Sequence, residues 1–311
     1  MSNISAEKIK SLREKTGAGI MDCKNALVEN DGEIESAIDW LRKKGIAKAN
    51  KKSSRIAAEG LVGVISKGKL SCIIEVNSET DFVSKNNDFQ EFINSLLQIA
   101  INKKYTLEEL LSIKFNNENT VHDALQSLVS KIGENIVIRR LNYIELNSEN
   151  SKFGVYIHNK VSESLGKIGC VTMGSFKNDN PKISDTLKKI AMHISASKPL
   201  ALDENGLDKQ LLNKEREIFL EQLANSGKPN DILDKIVEGK IKKYVSEITL
   251  LNQSWILDPN KSVSEVIKDF NEEFNCNFVL EGYQLYVLGE GVETNTKDFK
   301  EEVASQLTQS S

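Results

Sequence analysis

The sequence predicts an α+β protein with small antiparallel sheets, on three observations. Residues 5–44 carry apolar side chains at helical spacing, the pattern changes to short β-rich runs from Leu61, and an order of hairpin, helix and strand occurs twice. A length of 311 residues suggests about two domains, and 39% apolar residues are enough to bury a core in each. With 4 Pro, 18 Gly and 6% aromatics, the composition favours helices over a turn-rich sandwich.

The first elements read as three short helices. Ser5 can cap the first, which turns Ile9 and Leu12 inward. The second carries Ile20, Cys23 and Leu27, and the third Ile34, Ala37, Ile38 and Leu41. Thr16-Gly17-Ala18-Gly19 and Asn30-Asp31-Gly32 are the turns. The stretch Arg42–Arg55 follows without an acid and holds a charge of +7 against −11 for the rest of the chain. It reads as a mobile basic linker, either a solvated tether or a weak attractor of RNA or an acidic protein surface.

Leu61–Ser66 and Leu70–Val76 make a hairpin across Lys67-Gly68-Lys69. A helix follows with Phe89, Phe92, Ile93, Leu96, Leu97 and Ala100 on one face. After a polar break, Thr120 and Asp123 stand at capping-box spacing before Val121, Leu125, Leu128, Val129 and Ile132, and Ile136–Leu141 returns as a strand. The order then recurs: Phe153–His158 and Lys167–Met173 form a second hairpin, and a helix turns Ile183, Leu187, Ile190, Ala191 and Ile194 inward. Gly154-Val155 repeats Gly63-Val64 at an offset of 91, whereas Lys167-Ile168-Gly169-Cys170 echoes Lys69-Leu70-Ser71-Cys72 at 98. The extra seven residues lie in the second hairpin loop.

The second copy is interrupted by a helical insertion at about 200–240. Its apolar stripes are Leu207, Leu211, Leu212, Ile218, Phe219 and Leu223, then Ile232, Leu233, Ile236 and Val237. Such stripes must pack on each other, on the core, or on a second copy. Cys276–Leu288 closes the unit as a period-2 strand. The expected divisions are therefore 1–50 with its linker, 55–142, 143–290 with the inserted arm, and a polar tail at 291–311.

Most chemical motifs fail. The 41 Lys and Arg against 45 Asp and Glu leave a net charge of −4, so no global field marks a nucleic-acid specialist. Gly63-Val64-Ile65-Ser66-Lys67-Gly68-Lys69 fits a phosphate-loop pattern until Leu70 stands where a hydroxyl should reach Mg²⁺, and it sits in a hairpin. His122, His158 and His193 are too scattered for a readable metal site, and no GxSxG or HExxH occurs. No enzyme, cofactor or resident metal is expected. Cys23, Cys72, Cys170 and Cys276 read as reduced, buried thiols. The first fifteen residues lack an apolar h-region and no 18 apolar residues run together, so the expectation is a cytoplasmic chain with no membrane partner.

One loop stands out. Asn77-Ser78-Glu79-Thr80-Asp81-Phe82-Val83 places an aromatic beside a carboxylate at a strand-to-helix junction. Phe82 is seven residues before Phe89, in phase with the helix face, so on pattern alone it caps the core or serves as an exposed wedge for a partner protein.

Longer motifs decide between these. Leu12-Arg13-Glu14-Lys15-Thr16-Gly17-Ala18-Gly19-Ile20-Met21-Asp22-Cys23-Lys24 and Trp40-Leu41-Arg42-Lys43-Lys44-Gly45 resemble the amino-terminal signature of the bacterial elongation factor Ts family. Glu75-Val76-Asn77-Ser78-Glu79-Thr80-Asp81-Phe82-Val83 resembles its second signature. Gly133-Glu134-Asn135-Ile136, Ala191-Met192-His193-Ile194-Ser195-Ala196-Ser197-Lys198-Pro199, Gly227-Lys228-Pro229 and Leu288-Gly289-Glu290-Gly291 follow in the family's order.

The resemblance implies an exchange factor for elongation factor Tu, the GTPase that carries aminoacyl-tRNA. It also implies a ubiquitin-associated-like (UBA-like) amino-terminal domain, a two-part α+β core, a helical arm that self-associates in some members, here a possible homodimer, and a carboxy-terminal helical module at about 262–275. Carried over by position, Thr80, Asp81, Phe82 and Val83 would form the wedge beside the partner's Mg²⁺ site, and Arg13, Ile20, Met21 and His158 would be further partner contacts. The family's usual Tyr-x-His-Gly is here Tyr156-Ile157-His158-Asn159 with a longer loop through Ser162, Glu163 and Ser164, and the closing strand holds Glu281-Gly282. The alternative reading is an RNA- or ribosome-associated binding module, although no direct nucleic-acid contact is expected of the exchange factor.

Overall fold

The computed structural model describes residues 4–117, 119–223 and 229–293. It is a mixed α+β chain whose described residues divide into two compact units, one within Met1–Gly63, Ile74–Leu141 and Val287–Ser311 and the other within Val64–Ile73 and Asn142–Tyr286.

The first unit opens with α1 (Ala6–Thr16), α2 (Ile20–Glu29) and α3 (Ile34–Lys52). Ser5 Oγ accepts from the Lys8 amide at 3.3 Å and caps α1 as its sequence position indicates. Leu12, Cys23, Ala26, Leu27 and Ala37 form a small core, with Ile9, Ile34, Ile38 and Leu41 packed around it. Ile20 is not part of that core: it is 57% exposed, on the face of the first turn of α2 that Met21 shares, while Cys23 of the same turn points inward.

The basic stretch is also not a mobile linker. It continues α3 to Lys52, since Ala and Lys dominate residues 46–52 and cations suit a helix C-terminus. Two contacts carry α3 onto a later helix, α6. Gly45 is buried where a Cβ would stand 3.2 Å from Ser130 Oγ, so the two helices approach closely there. Lys52 Nζ donates to the Gly133 carbonyl.

Next come β1 (Glu59–Lys67), β2 (Leu70–Ser78) and α4 (Asn87–Ala100), the last burying the six side chains expected of it. Asn86 Oδ1 accepts from the Phe89 amide at 3.2 Å and starts α4. The expected polar break contains a short helix, α5 (Leu107–Ser112), which the Thr106–Glu109 capping box nucleates and Leu110 anchors. In α6 (Val121–Ile132) both halves of the Thr120–Asp123 capping box form, and Thr120 donates to Asp123, which holds that carboxyl below its usual pKa. The returning strand β3 (Ile136–Glu145) completes the order β3-β2-β1.

The second unit repeats that order. β4 (Ser151–His158) pairs antiparallel with a later strand, β6, in a register running from Ser151 opposite Ser175 to His158 opposite Ile168. The lengthened loop supplies β5 (Leu165–Gly166), which pairs beside β1; the Val64 amide donates to the Ser164 carbonyl at 2.9 Å. After β6 (Ile168–Ser175) comes α7 (Lys182–Ser197), whose inner face is the expected one.

The insertion forms α8 (Lys209–Leu223) and α9 (Asn230–Ile248), starting and ending about eight residues later than its pattern suggested. The helices pack on each other: Val237 is fully buried and Lys240 Nζ lies 4.9 Å from the Phe219 ring centre. Gly227 and Lys228 of the expected break lie outside the described residues, as does the tail from residue 294.

A short hairpin that pattern reading missed, β7 (Ser254–Trp255) with β8 (Asp258–Ser262), leads into α10 (Val263–Phe274) through a Ser262–Glu265 capping box. The closing strand β9 (Val279–Val287) lies next to β6, so β4-β6-β9 has the same order as β1-β2-β3. The four cysteines are free and buried.

Candidate functional site

The junction between β2 and α4 is a 3-10 turn, Asp81–Lys85, that holds adjacent side chains in opposite directions. Val83 is 4% exposed and Phe82 is 75% exposed. Inward anchoring therefore falls to Val83, and Phe82 does not cap the core. Asp81 is exposed and Thr80 half-buried.

Hydrogen bonds hold the backbone beneath the exposed ring. Thr80 donates from its amide and from Oγ1 to the two carboxylate oxygens of Glu134, at 2.9 and 2.6 Å. The Asn135 amide donates to Glu79 Oε1 at 2.5 Å, and Arg55 Nη1 reaches the same carboxylate at 3.4 Å. Asn135 Nδ2 donates to the Arg55 carbonyl at 2.7 Å. Within the turn, Ser84 Oγ donates to the Asp81 carbonyl at 2.6 Å and Gln90 Nε2 to the Ser84 carbonyl at 2.8 Å. The loop is thus fixed at both ends while an apolar ring stands in solvent, which is the arrangement of a pre-organised anchor.

Sequence reasoning named Thr80 to Val83 but missed Arg55, Glu79, Glu134 and Asn135 as their supports. The signal was present: Glu79-Thr80 and Glu134-Asn135 belong to two separate family-like motifs, and the fold bonds one motif to the other.

Beneath this site a second missed group is buried. Glu75 is fully buried on β2, and its oxygens meet Arg139 Nη1 at 3.0 Å, Arg140 Nε at 2.5 Å and the Gly289 amide at 2.9 Å. Arg140 Nη2 also donates to the Val287 carbonyl at 3.0 Å. A buried carboxylate is tolerated only with such partners, so this ion group ties β2, β3 and the turn after β9 together.

The other expected contacts are scattered. Arg13 is exposed near the end of α1, and Ile20 and Met21 are 57% and 64% exposed at the start of α2. His158 is exposed at the end of β4 in the second unit, with the Tyr156 hydroxyl 3.1 Å from its Nδ1. A cavity of 480 Å³ lies where the α1–α2 turn and α3 face α6, but two of its cations already pair, Lys15 with Glu35 at 3.4 Å and Lys44 with Asp22 at 3.5 Å. Among the described residues no group of three or more His, Cys, Asp or Glu side chains could hold a metal ion, and no helix is long and apolar enough to cross a membrane.

A family model described as Elongation factor TS matches residues 79–290, more than half of the chain, starting at the loop that carries Phe82. The chain belongs to the elongation factor Ts family. An Elongation factor Ts of Methylobacterium nodulans is 46% identical over 307 residues, covering 98% of this chain and 99% of that protein. One of Azorhizobium caulinodans is 44% identical over 311 residues, the full length of both, and one of Methylobacterium radiotolerans is 46% identical over 308, covering 98% and 99%. The similarity thus extends through the three-helix module, ahead of the span matched by the family model.

Proposed function

We propose that this chain is a guanine-nucleotide exchange factor for elongation factor Tu. It binds the GDP-bound GTPase and promotes release of GDP and its replacement by GTP in the cytoplasm. Phe82, exposed on a loop that Thr80 ties to Glu134, is the observation that carries this reading.

Exchange makes and breaks no covalent bond, so the chain needs no nucleophile, cofactor or metal of its own. It must bind the nucleotide-free GTPase more tightly than the GDP-bound form, and by linkage the factor gained there is the factor by which GDP binding weakens. Phe82 enters beside the partner's Mg²⁺ site, with Asp81 placed to compete for the ion's surroundings. Loss of the ion removes the bridge from β-phosphate to protein, and the phosphate-binding backbone relaxes. Thr80 sets the loop through Glu134, and Val83 anchors it from inside. Arg13, Ile20 and Met21 on the UBA-like module, and His158 on the second core subdomain, add contact surface. In this scheme the domains are 1–50, 55–142 and 143–290, with α10 as the carboxy-terminal module.

The arm of α8 and α9 leaves Leu220 and Ile232 exposed near its end, and we assign it to self-association. Sedimentation equilibrium should show a homodimer; a strict monomer at high concentration removes that role. The exchange reading is tested by release of labelled GDP from elongation factor Tu with and without this protein. Acceleration is expected, and its absence refutes the proposal.

A second reading, binding to RNA or the ribosome, is favoured by one observation: Arg42, Lys43 and Lys51 are exposed on a continuous helix. RNA binding would weaken steeply with salt, whereas an interface centred on an apolar ring should respond far less.

A further inference from the structure

Asn77 stands on β2 immediately before the wedge loop. It is fully buried, and neither Nδ2 nor Oδ1 has a hydrogen-bond partner. A carboxamide offers two donors and two acceptor sites, and buried amides are nearly always paired, so an amide with none at either end calls for a cause.

Looseness is not that cause. Gly60 on β1 lies so close that a Cβ there would fall 2.1 Å from the Val76 carbonyl oxygen and 2.8 Å from the Asn77 Cα, which pins the backbone. Poverty of the surroundings is not the cause either. Glu75 is two residues earlier, and therefore on the same face of the strand, yet it has Arg139, Arg140 and the Gly289 amide on its two oxygens. On the other side of Asn77 the polar groups of the loop are paired: Ser78 Oγ donates to the Thr80 carbonyl at 2.9 Å, Glu79 accepts from Asn135 and Arg55, and Thr80 donates twice to Glu134. The unpaired amide lies where the strand meets the loop; the strand is held by sheet pairing and the loop by side-chain hydrogen bonds at Thr80 and Ser84, so the loop is the side that can shift between those two points.

We infer that Asn77 is a positioning residue for exchange: its carboxamide is held unpaired in the free chain and takes up a hydrogen bond with the wedge-loop backbone once Phe82 is seated in the GTPase. The unpaired amide raises the free energy of the free chain relative to the engaged one, so part of the cost of reshaping the loop is met before the partner arrives. This rests on the exchange reading above.

The test compares Asn77→Val with Asn77→Thr, two side chains of one shape that differ by a hydroxyl, so the space each leaves is the same. Thermal melting of the free protein and stimulated GDP release are measured for both and for the unaltered chain. Asn77→Val should melt about 2 °C or more above Asn77→Thr, because it buries no unpaired polar group. It should also exchange about three- to tenfold more slowly, because it cannot form the bond. Equal exchange by the two variants, or a lower melting temperature for Asn77→Val, overturns the inference. If these Cβ-branched side chains unfold the protein, Asn77→Leu, which branches at Cγ as Asn does, carries the same expectation as Asn77→Val, now against the unaltered chain. Failure of the unaltered chain to accelerate GDP release refutes the exchange reading itself. Acceleration by the unaltered chain with equal rates for the variants refutes the role of Asn77 alone.

Discussion

Two strand-to-helix junctions, after β2 and after β6, treat their aromatic residue in opposite ways. Phe82 stands 75% exposed, whereas Phe176 is 8% exposed within the core that α7, α10 and β9 build. Both loops are tethered. The Phe176 amide donates to the Asn150 carbonyl and the Lys177 amide to the Cys276 carbonyl, each at 2.9 Å, while Lys152 Nζ lies 5.1 Å from the Phe176 ring centre. Tethering alone therefore does not expose a ring. In the second unit the ring falls within the apolar core of α7, α10 and the closing strand β9, and burial stabilises it. In the first, Val83 fills the inward position and the larger ring is left to solvent with no stabilising return in the free chain. The same strand order thus supports two outcomes, one serving the fold and the other available to a partner.

The largest test of this contrast is Phe176→Ala. Truncating a buried Phe should cost about 3–5 kcal/mol of folding stability, read by chemical denaturation, while GDP release per folded molecule stays near the unaltered rate. Slow exchange by a fully folded Phe176→Ala would break the contrast.

Phe82→Ala is its mirror image. It should cost about 2 kcal/mol or more of the interaction, a loss of tenfold or more in exchange, with an unchanged melting temperature. Normal exchange with a markedly lowered melting temperature would return Phe82 to the core.

The tether should matter less than the ring. Glu134→Ala leaves the Thr80 amide and hydroxyl without their carboxylate, at about 1–3 kcal/mol, and should slow exchange severalfold by loosening the loop. Glu134→Gln, which still accepts at one oxygen, should recover part of that rate. Equal behaviour of the two variants would mean that the tether does not position Phe82.

Asp81→Ala should slow exchange by still less, and its deficit should vary with Mg²⁺ concentration more than that of Phe82→Ala. A deficit that ignores Mg²⁺ would remove the ion from the role given to Asp81.

The smallest effect is a pH response confined to the second unit. His193 is buried, donates from Nε2 to Gln253 at 3.0 Å and accepts from the Ile256 amide at Nδ1, and burial holds its pKa below the ordinary 6.5. The unfolded chain then binds the proton more readily. Stability should fall as the pH drops below about 6.5 towards the folded-state pKa and be fully present above it. Denaturation across that range should show the slope in the unaltered chain and lose it in His193→Asn; a slope that persists assigns it to other groups.

How much of the site was legible follows from the range of each interaction. The Ser5 cap, the Thr120–Asp123 capping box and the apolar faces of α4 and α7 depend on residues within a turn or two, so spacing alone reveals them. Thr80 to Val83 could be picked out because a motif holds them together, but which of two neighbours points inward depends on what packs beneath. The basic stretch shows the opposite failure. Its charge suggested a tether, yet Gly45 against Ser130 and Lys52 on Gly133 bring it onto α6 more than 80 residues away.

The chain's own pattern determined the order of helices and strands, the repeated hairpin, helix and strand, and the free cysteines, because these rest on local hydrogen bonding and on which side chains avoid water. Tertiary structure alone decided that Ile20 is exposed, that Glu75 is matched by Arg139, Arg140 and Gly289, that Glu134 holds Thr80, and that Phe82 rather than Val83 meets solvent. For Glu75 and Thr80 the deciding neighbour lies outside the local helical or strand period, up to 214 residues away for Gly289 and Glu75. Pairing at that range depends on how the elements close on one another, which no local period encodes.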